Sequence, residues 1–376
     1  MTAPSLLRLV AAAGLGVVAA LPSGARAADR GLPAWTQEIT LNGFLKTSYS
    51  YNFNRPASAT NQFRVFDFDD NTFKVDEFEL VAQKPMAKPR DAGFRVDFTV
   101  GSSVPRVTAS AGLFRDATGQ AQDIDVHQAM AGYVVPVGAG LRLDLGKFVT
   151  SPGYEVIDGY DSWNDNASRS LLFGFAIPFT HVGVRASYPF SSRLSGTAMV
   201  VNGWDVARDN NTSKTLGGQL AWTSGGPFGL TVSALTGPER SGDNSDARSV
   251  IDVVATLRPP GRLTLAANGD WGTEADAVGP GQDGTWKGIA LYARLSLSDR
   301  CALTARGEYF EDLDGVRTGV AQKLRELTLT PETRVTPHFG LRGDLRVDHS
   351  SQLVFDKPGG PSQTQPTVLF EALYSF

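Results

Sequence analysis

The gaps between the strand-like segments of this chain alternate between short turns and long polar loops, and that rhythm restricts the fold more than any single motif. Apolar–polar alternation of period two marks sixteen strands near 36–54, 72–84, 92–103, 123–136, 140–150, 180–189, 193–203, 214–224, 227–237, 247–258, 261–273, 285–298, 300–311, 322–335, 337–348 and 366–376. The even gaps are short, and most carry Pro or Gly: 85–91, Val137-Gly138-Ala139, Gly225-Gly226 and Pro259-Pro260. The odd gaps are long and polar: 55–71, 104–122, 151–179, 204–213, 238–246, 274–284, 312–321 and 349–365. A sandwich of two sheets has no reason to alternate in this way, whereas a barrel with turns on one rim and loops on the other does. An even count also lets the first and last strands pair, which removes the exposed edges.

The dyad is clear in individual strands. Ile39, Leu41, Leu45, Tyr49, Tyr51 and Phe53 oppose Glu38, Thr40, Asn42, Lys46, Ser48, Ser50 and Asn52. Successive side chains of a strand point to opposite faces, so one face suits lipid and the other water. Phe94, Val96 and Phe98 oppose Arg95 and Asp97 in the same way, and Leu341, Leu345 and Val347 oppose Arg342, Asp344 and Arg346. The closing segment places Val368, Phe370, Ala372, Tyr374 and Phe376 on one face and ends the chain on an aromatic residue. Such an ending resembles the last strand of a Gram-negative outer-membrane barrel, where the terminal aromatic is part of the assembly signal. The expected fold is therefore all-β: a transmembrane antiparallel up-and-down β-barrel of about sixteen strands with a long third external loop. A count of fourteen or eighteen stays open, because Ser170 to Pro178 is also compatible with an extra strand.

The N-terminus reads as a signal peptide. Arg8 precedes an apolar run from Leu9 to Leu21, and Ala25-Arg26-Ala27 is a small-x-small cleavage site. The run is too short to cross a bilayer core of ~30 Å as a helix. The expected organisation is a signal peptide over 1–27 and a barrel over 28–376, in the outer membrane with both termini periplasmic. Cleavage removes Arg8 and Arg26, taking the net charge from −4 to −6, which leaves no basic footprint for nucleic acid. Cys301 is the single cysteine, so no intramolecular disulfide forms, and its position suits a small buried or lipid-facing residue.

About sixteen strands enclose a lumen wide enough for water. The inward face supplies pore-lining candidates of both signs: Lys46, Arg95, Arg142, Arg185, Arg294, Arg306, Arg342 and Arg346 against Glu77, Glu79, Asp97, Asp144, Glu308, Asp344 and Asp348. These charges either pair across strands or tune the pore. Loop 151–179 is the constriction candidate, with Tyr154, Glu155, Asp158, Tyr160, Asp161, Trp163, Asp165 and Arg169. Folded inward, its acids would face the basic wall; otherwise it caps the barrel from outside. Tyr49, Tyr133, Tyr188, Trp222, Trp271, Trp286 and Tyr374 are candidates for the interfacial aromatic girdle.

Ser151-Pro152-Gly153-Tyr154-Glu155, Asn164, Asn166, Ser168-Arg169-Ser170 and Pro178-Phe179-Thr180-His181-Val182-Gly183 resemble the OmpL-like β-barrel porins (porin-2 type). Asn202-Gly203-Trp204-Asp205, Asp209-Asn210-Asn211 and Lys214 extend that resemblance. It implies an outer-membrane diffusion channel, with no catalytic residues or cofactor to carry over and poorly defined solutes. The leading expectation is a water-filled porin passing small hydrophilic solutes down their gradients. A channel selective for an anionic or sugar-like solute is the alternative, and an outer-membrane hydrolase stands third. Gly-x-Ser-x-Gly is absent, and His127, His181, His338 and His349 lack His-Glu-x-x-His spacing. Asp67, Asp69 and Asp70 could bind calcium but read as a solvated loop, so no metal site is expected. Expected partners are outer-membrane lipid and lipopolysaccharide, the barrel-assembly machinery through the C-terminal strand, small hydrophilic solutes and a homotrimer.

Overall fold

The computed structural model describes residues 38–108 and 112–376. The expected signal peptide, residues 1–27, lies outside them. Sixteen antiparallel strands close into one barrel: β1 (Thr40–Asn52), β2 (Thr72–Lys84), β3 (Ala92–Val100), β4 (Ile124–Val135), β5 (Leu141–Val149), β6 (Thr180–Pro189), β7 (Leu194–Val201) and β8 (Thr215–Thr223) form the first half. The second half is β9 (Phe228–Pro238), β10 (Ala247–Leu257), β11 (Leu263–Gly279), β12 (Gln282–Ser296), β13 (Cys301–Asp312), β14 (Gln322–Arg334), β15 (Phe339–Ser350) and β16 (Thr364–Ser375). Each strand pairs with its neighbours in sequence, and β1 pairs with β16 from Phe44↔Ser375 to Asn52↔Thr367. Phe376 completes the seam: its backbone N–H and C=O both bond Gly43, each at 3.0 Å.

The alternation read from sequence becomes an inside and an outside. Leu41, Leu145, Leu291, Leu327 and Phe370 are exposed on the outer surface, whereas Lys46, Asp144, Arg306 and Glu371 on the other parity are buried within. No helix among the described residues is long and apolar enough to cross a membrane, so the strands alone make the span.

Three local readings need correction. Ser170 to Pro178 is not a strand; Leu172–Ala176 forms a π-helical turn, with Leu172, Phe173 and Ala176 buried. Its apolar residues come in an unbroken run, which suits burial on all sides rather than the half-wet face of a barrel strand. The expected loop 274–284 is instead a continuation of β11 and β12, which run out to a tight turn and still pair at Gly279↔Gln282. Trp286 is no girdle residue. It shares the parity of inward Ala290, is 1% exposed, and donates its indole N–H to the Ala176 carbonyl at 3.1 Å. Tyr133, Trp222, Trp271 and Tyr374 do stand exposed on the outer face.

Candidate functional site

Loop 151–179 lies inside the barrel and divides the lumen into two unlike sectors. Its root and its π-helical turn are held by carboxylates that accept loop N–H groups, an exchange that satisfies backbone donors a buried loop would otherwise strand. Glu308 accepts from Leu171 at 2.7 Å and Leu172 at 2.6 Å, and Asp344 accepts from Ala167 at 3.1 Å and Ser168 at 2.7 Å. Asp205 accepts from Phe179 at 2.7 Å and Thr180 at 2.8 Å, where the loop rejoins the wall. An apolar cluster fills the space around it: Phe66, Leu171, Leu172, Phe173, Ile177, Phe179, Trp204, Trp286, Phe310 and Phe355.

Charges in this packed sector are spent on the loop. Glu155 pairs with Arg306 at 2.7 Å, and Arg306 also holds Glu326 at 2.8 Å and the Ser168 carbonyl at 2.8 Å. Asp158 collects three cations: Arg169 at 2.7 Å, Lys46 at 3.1 Å and Arg342 at 3.4 Å. Burial alone would favour its protonated form, but Arg169, Lys46 and Arg342 together hold this carboxyl well below the usual carboxylate range. Arg346 bridges Glu326 at 3.1 Å and Asp348 at 2.8 Å, and Arg294 binds Asp165 at 3.1 Å and Glu332 at 2.9 Å. Tyr154 packs against Tyr292 with ring centroids 4.5 Å apart and planes tilted by 47°, and the Tyr154 N–H bonds Asn268 at 2.9 Å. Trp163 reaches the turn end of the barrel, beside Pro337, His338 and Phe339.

The other sector is different. Between loop residues Val156–Ser162 and the wall of β2–β6 lies a cavity of about 550 Å³. It extends from Met86, Arg142 and Ser187 near the turns to Val149 at the far end of β5, a run of roughly 23 Å at ~3.3 Å per residue. Arg95, Arg142 and Arg185 project into it from β3, β5 and β6, with Glu79 and Asp144 among them. Asp144 accepts from Arg142 at 2.9 Å and from Arg185 at 3.0 Å. Asp97 lies fully buried behind, bonded to Arg95 at 2.8 Å. From the loop, Asp161 bonds Arg95 at 2.7 Å, the Tyr160 N–H reaches Glu79 at 3.3 Å, and the Tyr160 hydroxyl meets Gln83.

The inward residues named from sequence thus separate. Arg95, Arg142, Arg185, Glu79 and Asp144 border the cavity together with Asp158 and Asp161 of the loop. Lys46, Asp97, Arg306, Arg342, Arg346 and Asp348 are buried in ion pairs, Asp344 and Glu308 are buried accepting loop N–H groups, and Glu77 is buried opposite Lys46. Arg294, the remaining member, stands partly exposed between loop and wall. Sequence reading did not single out Tyr292, Asn268 or Gln83, which seat the loop, and named Asp205 only within the family resemblance; their parity or loop position was legible, their contacts were not. Asp67, Asp69 and Asp70 do not converge: Asp67 pairs with Arg64, Asp69 with Lys74 at 3.3 Å, and Asp70 takes the Asn52 N–H. The His181 ring is engaged on both sides, by Thr150 Oγ1 at 3.0 Å and the Gly203 carbonyl at 3.0 Å.

A family model for beta-barrel porin-2, OmpL-like, matches residues 38–376. The chain belongs to that family. It is an outer-membrane β-barrel of porin type. No curated protein sequence matches the chain. Among solved structures, it is similar to the anion-selective porin from Comamonas acidovorans, with 12% identity, TM-score 0.60, and coverage of 90% of this chain and 99% of that one. OprB of Pseudomonas putida aligns at 11% identity and TM-score 0.60 over 91% of this chain and 95% of its own. The trimer form of Vibrio cholerae OmpT aligns at 12% identity and TM-score 0.59 over 90% and 99%. At such identities the likeness is one of fold.

Proposed function

We propose that this barrel is a passive porin whose solutes cross through the off-centre cavity beside β2–β6, not along the barrel axis. The observation that carries this reading is the split of the lumen. Every strand contributes an inward residue that is almost fully buried, for example Ser50, Thr99, Asp125, Met199, Ser233, Ala290, Thr328 and Leu369. Polar space of solute size remains where Arg95, Arg142 and Arg185 face Asp161 and Tyr160. Small hydrophilic solutes fit such a passage, and its paired charges keep it wet without a deep trap for either sign.

A selective reading is favoured by one feature. The terminal nitrogens of Arg142 make no hydrogen bond among the described residues, and its side chain is 40% exposed. A guanidinium so placed presents a fork to carboxylates or sugar hydroxyls. In the same proposal, residues 1–27 are the signal peptide, the seven short turns and both termini face the periplasm, and three copies assemble as in the trimer form of OmpT. The test is a planar-bilayer recording of the refolded chain from residue 28 under a salt gradient. Discrete open steps are expected, with a reversal potential that moves toward cation preference in Arg142→Gln. A folded barrel that never conducts would overturn the reading.

A further inference from the structure

The passage wall contains a histidine with no hydrogen-bond partner among the described residues. His127 is 3% exposed, and no described group hydrogen-bonds either ring nitrogen. Buried polar groups are almost always paired, so such a ring needs a physical reason. It sits where it does because of a β-bulge. The β3–β4 register steps from Asp97↔Gln128 to Phe98↔Val126, which leaves His127 opposite no residue. The extra residue turns both His127 and Gln128 toward the lumen, where they border the cavity; bulges re-aim side chains in this way beside functional sites.

What the ring faces is acidic. Its Nδ1 lies 3.9 Å from Glu79 Oε1, and Glu77 stands two residues along on the same inward face of β2. The cations on that wall are already committed: Arg95 binds Asp97 at 2.8 Å and Asp161 at 2.7 Å, and Lys46, in register with Glu77, binds Asp158 at 3.1 Å. The separation of 3.9 Å is too long for a hydrogen bond. A metal ion bound to both atoms at ~2.1 Å would separate them by roughly 3.4 Å at a tetrahedral angle and more at a wider one. Imidazole beside carboxylate is the donor set preferred by borderline divalent ions, whereas Mg²⁺ prefers oxygen alone.

We propose that His127 and Glu79 form a weak site for an imidazole-seeking divalent cation of the Zn²⁺, Ni²⁺ and Cu²⁺ class on the wall of the passage. Among the described residues no three His, Cys, Asp or Glu side chains converge into a complete cage. Water therefore completes the coordination, and the open positions make the ion exchangeable. A cation held there would narrow the passage and reverse the local charge beside Asp158 and Asp161, so it would modulate what crosses.

The test is isothermal titration of ZnCl2 into untagged protein refolded in detergent, with MgCl2 as the control ion. Wild type, His127→Gln, Glu79→Gln and a His338→Asn/His349→Asn double variant are compared, the last removing the two exposed imidazoles. Heat-modifiable electrophoretic mobility checks that each variant is a closed barrel. Expected is a Zn²⁺ isotherm in wild type and in the double variant, weakened tenfold or more in both His127→Gln and Glu79→Gln, and no Mg²⁺ binding. Zn²⁺ binding that is absent from wild type, unchanged in His127→Gln, or lost in the double variant would overturn the site. Binding is read without conductance, so a barrel that binds Zn²⁺ but conducts nothing would contradict the porin reading and leave this one standing.

Discussion

The sector of the lumen where β11–β16 and β1 meet loop 151–179 and the sector bounded by β2–β6 use the same code for opposite ends. Both alternate apolar outside with charged inside, and both are rich in Arg, Asp and Glu. In the packed sector the buried guanidinia are closed in by loop carbonyls and carboxylates, as Arg306 is by Glu155, Glu326 and Ser168. In the other sector Arg142 shares one carboxylate with Arg185 and keeps its fork free. The difference lies in what the loop covers, not in the wall. A single inserted segment thus turns half of a ring of charge into scaffold and leaves the other half lining a cavity.

The largest expected effect comes from opening the packed sector. Arg306→Ala leaves Glu155 buried without its cation and Glu326 with Arg346 alone, and breaking a buried pair in this way costs about 3–5 kcal/mol. The urea midpoint of the refolded barrel should fall accordingly; a loss below about 1 kcal/mol would mean that water reaches this sector. Gly272 is next. A Cβ there would stand 2.1 Å from the Trp286 ring, whereas at Gly307 nothing lies within 4 Å. Gly272→Ala should cost about 1–3 kcal/mol by overpacking, and Gly307→Ala should leave the same unfolding midpoint nearly unmoved.

The two carboxylates that hold the loop should respond to pH with opposite signs. Asp158 is held below the usual range, so its contribution to stability is complete above pH ~4 and is lost as pH falls further. Burial pushes Asp205 up to about 6 despite its two backbone donors and nearby Arg317 and Arg248. Its folded state therefore favours the proton, and its contribution is greatest below pH ~4 and declines as pH rises through 6. Proteolysis of the loop, followed from pH 8 to 3, should show an Asp205→Asn variant that lacks the change between pH 4 and 6. An identical profile in that variant would remove Asp205 from the account. The smallest effect on stability is Arg142→Gln in the passage, within about 0.5 kcal/mol, although it should move ion selectivity the most.

Much of the barrel was legible in the sequence because period-two patterning and turn chemistry are local. β2 and β6 begin and end where the alternation does, and all sixteen strands occur in the expected order. The misreadings differ in cause. Trp286 depends on the Ala176 carbonyl across the lumen, which no local pattern encodes, whereas the apolar run of 170–178 and the β11–β12 pairing through 274–284 are local. Loop 151–179 was recognisable by its length and aromatic content, but its seating on Asp344, Glu308 and Asp205 joins residues far apart in the chain. Dyad parity likewise placed Arg142 and Arg306 on the same inner face and could not tell solute wall from scaffold.

Cysteine accessibility tests the division of the lumen most directly. With Cys301 replaced by Ser, a cysteine is introduced at Ser187 on the passage wall or at Thr328 in the packed sector, and a charged methanethiosulfonate is added during bilayer recording. The account predicts a stepwise change in conductance for Ser187→Cys and none for Thr328→Cys. Equal modification at both positions, or a response at Thr328 alone, would contradict it.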